Sequence, residues 1–200
     1  HDAIARVALY PAPDGAPDSL AAGTPESLRS GLEALLGADR LLTRAIDLVS
    51  YASDASPYRL FPQVVVMARD APDVAKAFAY GREKGVPVTL RAGGTSLNGQ
   101  GQGDGIMVDV RRHWTGDEVL DGGARARVRP GTLLGDANRV LAPYGRKLGP
   151  DPASTDIACV GGVVANNSGG MRCGVTADSY STVSALTFVL PSGTTIDSAA

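Results

Sequence analysis

Three stretches of this 200-residue chain concentrate bare backbone and polar side chains that could grip a charged ligand. The first, Arg91-Ala92-Gly93-Gly94-Thr95-Ser96-Leu97-Asn98-Gly99-Gln100, directly follows a short strand-like run. Adjacent glycines without Cβ let consecutive N–H groups converge on an anion, while Thr95, Ser96 and Asn98 add side-chain donors beside the Arg91 charge. That composition describes a diphosphate cradle; a mobile Gly-rich surface loop would have the same composition. The second, Gly149-Pro150-Asp151-Pro152-Ala153-Ser154-Thr155, is a proline-restricted turn whose hydroxyls could bind a ligand or cap a helix at Asp156-Ile157. The third, Gly161-Gly162-Val163-Val164-Ala165-Asn166-Asn167-Ser168-Gly169-Gly170, brackets small apolar residues and amides with glycine pairs. A flat aromatic group could lie against it, and tight helix–loop packing would ask for the same residues.

Two familiar phosphate sites are excluded by spacing. The alternating Gly99, Gly101, Gly103 and Gly105 lack the third glycine of G-x-G-x-x-G, and a strand follows where that motif needs a helix. No G-x-x-x-x-G-K-[ST] occurs either. Arg125, Arg127 and Arg129 recur at period two, as a phosphate-binding stripe would, but acidic neighbours favour a solvated strand face. His113 and Trp114 follow a strand and the basic pair Arg111-Arg112, which reads as a connector rather than a catalytic pair. Cys159 and Cys173 lack metal or redox spacing and read as small buried hydrophobes; two thiols are too few for an iron–sulfur cluster. No metal site is expected.

Positioning these segments requires a scaffold. Residues 11–23 hold three prolines and two glycines and read as a loop. Thr24 and Pro25 are placed as N-cap and first residue of a helix carrying Leu28, Leu32, Leu35 and Leu36 and ended by Gly37, and a second helix is expected over 43–50. Val64 to Ala68, an amphipathic stretch from Pro72 with Val74, Ala77, Phe78 and Gly81 on one face, and Pro87 to Leu90 predict a right-handed parallel βαβ unit. A further strand is expected at Ile106 to Val110. A hairpin follows over 117–129, then a helix from Thr132 to Leu141, and strands at Val183 to Leu190 and Thr194 to Ile196 joined by Pro191-Ser192-Gly193. The expected organisation is an N-terminal linker with helices over 1–50, a parallel βαβ lobe over 51–112, and a truncated lobe of antiparallel strands and helices over 113–200. Two lobes leave a cleft between them.

Composition narrows the classes of function. Lys and Arg number 19 against 21 Asp and Glu, a net charge of −2, so nucleic acid and anionic membrane are not expected partners. Glycine numbers 25 in 200, well above the usual share of about 7%. No apolar run approaches the roughly 20 residues that cross a bilayer, and two cysteines favour a reducing, cytoplasmic setting, with peripheral attachment at the inner membrane left open for the intact protein. His1 in place of Met, expected to be disordered, and an end just after a strand suggest a piece of a longer chain.

Together, in this order and at these separations, the segments resemble one family. The chain is similar to the FAD-binding (PCMH-type) domain of the FAD-linked oxidases, in the vanillyl-alcohol-oxidase superfamily, which includes D-lactate dehydrogenases, glycolate oxidase and D-2-hydroxyglutarate dehydrogenase. The likeness covers about Tyr51 to Asp197 and includes the lead-in Tyr51-Ala52-Ser53-Asp54-Ala55-Ser56, the three stretches above and the closing Val183 to Gly193 hairpin. It is strongest toward bacterial fusions in which an iron–sulfur domain follows the flavin domain. The resemblance implies a two-lobed α+β fold with FAD between a small parallel βαβ lobe and a lobe of antiparallel strands and helices. It implies that Arg91, Ala92, Gly93, Gly94, Thr95, Ser96, Leu97, Asn98 and Gln100 surround the FAD diphosphate, that Pro150, Asp151 and Ser154 line its path, and that Gly161, Gly162, Ala165, Asn167, Ser168, Gly169 and Gly170 approach the flavin or ribityl chain.

The implied reaction is oxidation of a D-lactate-like 2-hydroxy acid by hydride transfer to flavin N5. Some superfamily members bond a loop histidine covalently to the flavin; Thr95 stands at that place here, so noncovalent FAD is expected. The base and the substrate-carboxylate ligands are expected in a substrate domain absent from these residues, any iron–sulfur cluster in regions outside them, and the electron acceptor and oligomeric state stay open. Two alternatives remain: a flavoenzyme like UDP-N-acetylenolpyruvoylglucosamine reductase, and a non-catalytic nucleotide-binding or interaction module.

Overall fold

The computed structural model describes residues 16–199, so the expectations for His1 and for the first part of the 11–23 loop lie outside the described residues. In chain order the elements are α1 (Glu26–Leu36), β1 (Leu41–Leu42), α2 (Ala45–Tyr51), β2 (Val64–Met67), α3 (Ala71–Lys84), β3 (Val88–Arg91), β4 (Ile106–Asp109), β5 (Asp117–Leu120) and β6 (Arg125–Val128). They continue with α4 (Leu134–Leu141), α5 (Val160–Ala165), α6 (Ser179–Thr182), β7 (Thr187–Val189) and β8 (Thr195–Asp197), with 3-10 turns at Asp18–Ala22, Ala38–Arg40, Asp121–Gly123 and Ala142–Tyr144. No helix among the described residues is long and apolar enough to cross a membrane.

β2 reads Val-Val-Val-Met and β4 Ile-Met-Val-Asp, and every residue of both is buried. Strands covered on both faces need no alternation of polar and apolar residues. Val64, Val66, Ile106 and Val108 pack on one face with Leu28, Leu32 and Leu36 of α1 and Val74, Ala77 and Tyr80 of α3. Val65 and Met107 point the other way, into a smaller core with Leu20 and with Leu48 of α2. Three layers result, helices on both sides of a four-stranded sheet of order β1-β2-β4-β3.

The sheet corrects the expected βαβ unit in one respect. β2 and β3, joined through α3, are parallel as expected, but β4 lies between them and pairs with both, Val64↔Ile106 on one side and Val88↔Ile106 on the other. β1, unread in the sequence, adds an antiparallel edge through Leu41↔Val66 and Leu42↔Val65. The boundary drawn after residue 50 therefore does not separate two cores, since α1 and β1 complete the one that β2 and β4 begin.

Local corrections have local causes. α1 starts at Glu26 with Pro25 as its cap, which has no side-chain group to make a capping bond, while Thr24 is buried one residue earlier and gives its N–H to the Thr43 carbonyl at 2.8 Å. α4 starts two residues later than expected, because Thr132 instead exchanges bonds with the Gly116 N–H and carbonyl at 2.9 and 3.0 Å. No helix opens at Asp156-Ile157; Ser154 and Thr155 lie in a turn, with the Thr155 hydroxyl donating to the Pro152 carbonyl at 2.6 Å. The 117–129 hairpin forms as β5 and β6, and Arg127 meets Glu118 at 2.9 Å across it while Arg125 pairs with Asp121, a solvated face as read from sequence. The β7–β8 hairpin closes back on the first lobe, with Val189 against the main core and the Arg82 guanidinium donating to the Ser192 carbonyl at 3.3 Å.

Leu32, fully buried where α1 meets the sheet, tests whether α1 belongs to this core. Leu32→Ala is expected to lower unfolding free energy by about 2–5 kcal/mol in chemical denaturation; an unchanged transition would make α1 an appendage.

Candidate functional site: a backbone anion cradle

The loop that leaves β3 carries the site. Among the described residues, the N–H groups of Gly93, Gly94, Thr95, Ser96 and Leu97 reach no internal acceptor, and the run ends where Asn98 N–H donates to Ser96 Oγ at 3.2 Å. Gly94 has φ +65°, a conformation that admits glycine without strain. Five consecutive N–H groups without an internal partner stand at the carboxyl end of a parallel strand, where open α/β sheets place ligands. The residues present fit the diphosphate of a dinucleotide.

Arg91 holds that loop in place. Its guanidinium donates to the Gly101 carbonyl at 3.0 Å and to the Ser53 carbonyl at 2.6 Å, so it ties both ends of the glycine loop to the lead-in. Burial lowers the pKa of this group, and the Asp54 charge opposes the shift. Ala55 N–H donates to the Gly94 carbonyl at 3.0 Å. Burial pushes the Asp54 carboxyl up, but the Ser56 hydroxyl and its N–H, at 2.8 Å, outweigh it and hold the group below the usual carboxylate range. The lead-in that the sequence carried only as part of a resemblance is thus the mount of the cradle.

The other two stretches converge on the same loop. Gly93 packs flat on the 157–159 segment, where an added Cβ would stand 3.2 Å from Ala158 Cα, and Gly162 faces the Ala92 methyl. Gln100 reaches from the cradle to Asn166 at 3.5 Å, and Asn166 in turn donates to Ser168 Oγ at 3.2 Å. The Ser154 carbonyl accepts from the Ile157 and Ala158 N–H groups at 2.8 and 2.7 Å, which shapes the turn that Gly93 touches. Pro150 is buried, and Gly170 sits on the Asp151 carbonyl. Leu97, Asn98, Ala165 and Gly169 are exposed, while Thr95, Ser96 and Asp151 are half-buried.

Some of these residues also make contacts within the fold. Gly161 packs against Pro130 and gives its N–H to the Pro130 carbonyl at 2.9 Å, so its missing side chain serves loop packing. Asn167, at φ +45°, donates its amide to Asp178 at 3.0 Å and accepts the Tyr180 N–H at 3.1 Å, so two of its hydrogen-bonding positions also hold the local turn. A Cβ on Gly94 would point at the Arg91 guanidinium, 2.7 Å from Nε, and not into the ligand space.

Beside the cradle lies a cavity of about 260 Å³ at the carboxyl ends of β3 and β4, bounded by Ala92, Gly93, Ser50 and Tyr51 and by three arginines, Arg91, Arg111 and Arg112. Buried Asp109 at its floor accepts from Tyr51 Oη at 2.6 Å and from the Arg111 and Arg112 N–H groups at 2.7 and 3.0 Å. Burial, then that bond to Asp109, pushes the Tyr51 phenol up to about 12. In the sequence, the signal for this cavity was a basic pair directly after a parallel strand. His113 is exposed in the turn that follows.

The fold and the cradle together define a nucleotide-holding α+β domain of the kind found in flavoproteins. The profile of the family described as "FAD binding domain" matches residues 62–199, and the chain belongs to that family, as a PCMH-type domain. Its sequence is 35% identical to D-2-hydroxyglutarate dehydrogenase of Pseudomonas putida over 72% of this chain and 14% of that protein. It is 33% identical to glycolate oxidase subunit GlcD of Escherichia coli over 64% of this chain and 26% of that protein. It is 31% identical to D-lactate dehydrogenase of Anaerostipes hadrus over 66% and 28%. The chain therefore spans well under a third of the length of these relatives. Among solved structures, alkyldihydroxyacetonephosphate synthase superposes with a TM-score of 0.75 at 18% identity over 87% of this chain and 36% of that one. p-Cresol methylhydroxylase superposes at 0.69 and 19% over 88% and 37%, and these two likenesses show the fold. Family membership implies FAD as the cofactor.

Two measurements follow. Gly94→Val should displace Arg91 and strain the backbone, so that flavin absorbance co-eluting with the protein is lost while far-ultraviolet circular dichroism is kept; retained flavin would refute the cradle. Cys159 is buried and its thiol is pushed by burial to about 11, so at pH 8 on the order of one molecule in a thousand is thiolate. Native protein should therefore resist iodoacetamide at Cys159, and labelling should need denaturant.

Proposed function

We propose that this chain is the cofactor-holding part of an FAD-dependent oxidoreductase that oxidises a D-2-hydroxy acid. The observation that carries the reading is the run of five N–H groups, Gly93 to Leu97, unpaired among the described residues and fixed by Arg91 between the lead-in and the 157–170 segment. When bound, FAD supplies the acceptor for the electron pair and hydrogen leaving the hydroxyl-bearing carbon. The chain's own residues hold and orient. The cradle N–H groups carry the diphosphate, Arg91 and Asp54 keep the cradle from shifting, and Gln100 with Asn166 bridges the loop to the opposite segment. Ala92 and Gly162, both small, let the two sides approach closely. The relatives named above, 31–35% identical, are themselves named for D-2-hydroxyglutarate, glycolate and D-lactate, which supports the substrate class.

FAD held without a covalent bond is part of the proposal. The structure of glucooligosaccharide oxidase from Acremonium strictum, 23% identical, is described with 6-S-cysteinyl, 8α-N1-histidyl FAD. Here the cradle carries Thr95 and no histidine, the two histidines of the chain are His1 and His113, and Cys159 and Cys173 are both buried.

The test is made on the full-length protein. It should absorb near about 450 nm, release that colour to the supernatant on acid precipitation, and bleach anaerobically with a D-2-hydroxy acid but not its L-isomer. Colour that stays with the precipitate overturns noncovalent binding; no flavin after reconstitution overturns the cofactor; flavin that no 2-hydroxy acid bleaches overturns the substrate class.

A further inference from the structure

The cradle is rich in hydrogen-bond donors and poor in formal charge. Its N–H groups are neutral, and its one cation, Arg91, has two of its donors committed to the Gly101 and Ser53 carbonyls. A diphosphate diester carries two negative charges, and charge-assisted bonds from guanidinium are the strong ones that phosphate attracts. Two such groups stand in the adjoining cavity. Among the described residues neither Arg111 nor Arg112 has a carboxylate partner within ion-pair distance, and the side-chain contact of Arg112 is a long one, 3.8 Å from Met67 Sδ. Arg29, Arg40, Arg44, Arg69, Arg125, Arg127, Arg139 and Arg172 all meet acidic partners. Asp47, the carboxylate whose charge reaches Arg112, is held by Arg44 at 2.8 and 3.0 Å. Asp109 accepts from Tyr51 and from the Arg111 and Arg112 N–H groups, so it fixes the turn that carries both arginines, and among the described residues it pairs with neither guanidinium.

We propose that the cavity of Arg111, Arg112, Tyr51 and Gly93 is a phosphate subsite, in which the two guanidinium groups neutralise the diphosphate of the dinucleotide held by the cradle. This rests on the cofactor reading above. Gly93 belongs to both concavities, so an anion on the cradle lies next to the cavity. The subsite makes cofactor binding salt-sensitive through two exposed cations.

The experiment measures FAD affinity of the full-length apoprotein by flavin fluorescence at low and high sodium chloride. It compares wild type, the Arg111→Gln/Arg112→Gln pair, the Arg111→Lys/Arg112→Lys pair, and Arg111→Gln alone in case the double change does not fold. The glutamine pair should weaken FAD by at least about tenfold and flatten the salt dependence, the single change should do so less, and the lysine pair should recover most of the salt dependence. Inorganic pyrophosphate should raise the melting temperature of wild-type apoprotein and not that of the glutamine pair. Unchanged FAD affinity and salt dependence in the glutamine variants overturn the subsite while leaving the cofactor reading intact. A raised KM for the hydroxy acid with FAD affinity unchanged also overturns it, assigning the arginines to a substrate carboxylate. Should wild type take up no FAD, the cofactor reading falls, and the pyrophosphate comparison alone decides whether the cavity binds phosphate.

Discussion

Everything in this domain turns on keeping a stretch of backbone in place while leaving its hydrogen-bond donors unpaired. A segment normally gains its position by satisfying its N–H groups internally, and the loop from Gly93 to Leu97 gives that up. Left buried and unpaired, each N–H would cost about 1–3 kcal/mol; the loop avoids this by staying partly open to solvent. Its position comes instead from its carbonyls and neighbours: Gly94 accepts from Ala55, and Gly101 and Ser53 accept from Arg91. The donors are thereby left free on a backbone that is already held, so binding needs little further ordering of it.

The same constraint explains why glycine is so abundant here and why its role was only half readable. Glycines next to a ligand and glycines pressed against another loop look alike in a sequence, because both need only the absence of Cβ. The structure separates them. Gly93 and Gly161 are flattened against the 157–159 segment and Pro130, and these contacts bring the later stretches to the first. The convergence of the three stretches is therefore itself a product of glycine packing.

What the sequence disclosed follows from how strongly each residue's surroundings dictate it. β2, α3, β3, β4 and the β5–β6 hairpin appear where β-branched runs, a helical stripe and turn residues placed them, whereas β7 keeps only Thr187–Val189 of the strand expected over 183–190 and, like β8, is largely exposed. Strand order was beyond reach, since nothing local in Ile106 to Asp109 records that it inserts between β2 and β3. β1 has two residues and no period to detect, and the cap misread at Thr24 and the helix start misread at Thr132 fell on residues whose hydrogen bonds are nonlocal. Of the site, the loop itself was legible through its glycines and hydroxyls. The role of Arg91 as a tie, the lead-in as its anchor and the bond of Asn167 to Asp178 all depend on partners 10 to 39 residues away.

The division of labour between neutral cradle and charged cavity has an electrostatic reason. Setting a further guanidinium inside the loop would expose it to the desolvation that already lowers Arg91, and would add to the repulsion that Arg91 already feels from Arg111. Placed at the rim, on a turn that Asp109 fixes through main-chain N–H groups, Arg111 and Arg112 remain solvated until an anion arrives. Their field still reaches the cradle, because a Debye length at physiological salt is about 8 Å and Gly93 lines both spaces. The cradle thus offers neutral donors held in place by one committed guanidinium, Arg91, and further charge is added from groups that do not have to be buried to act.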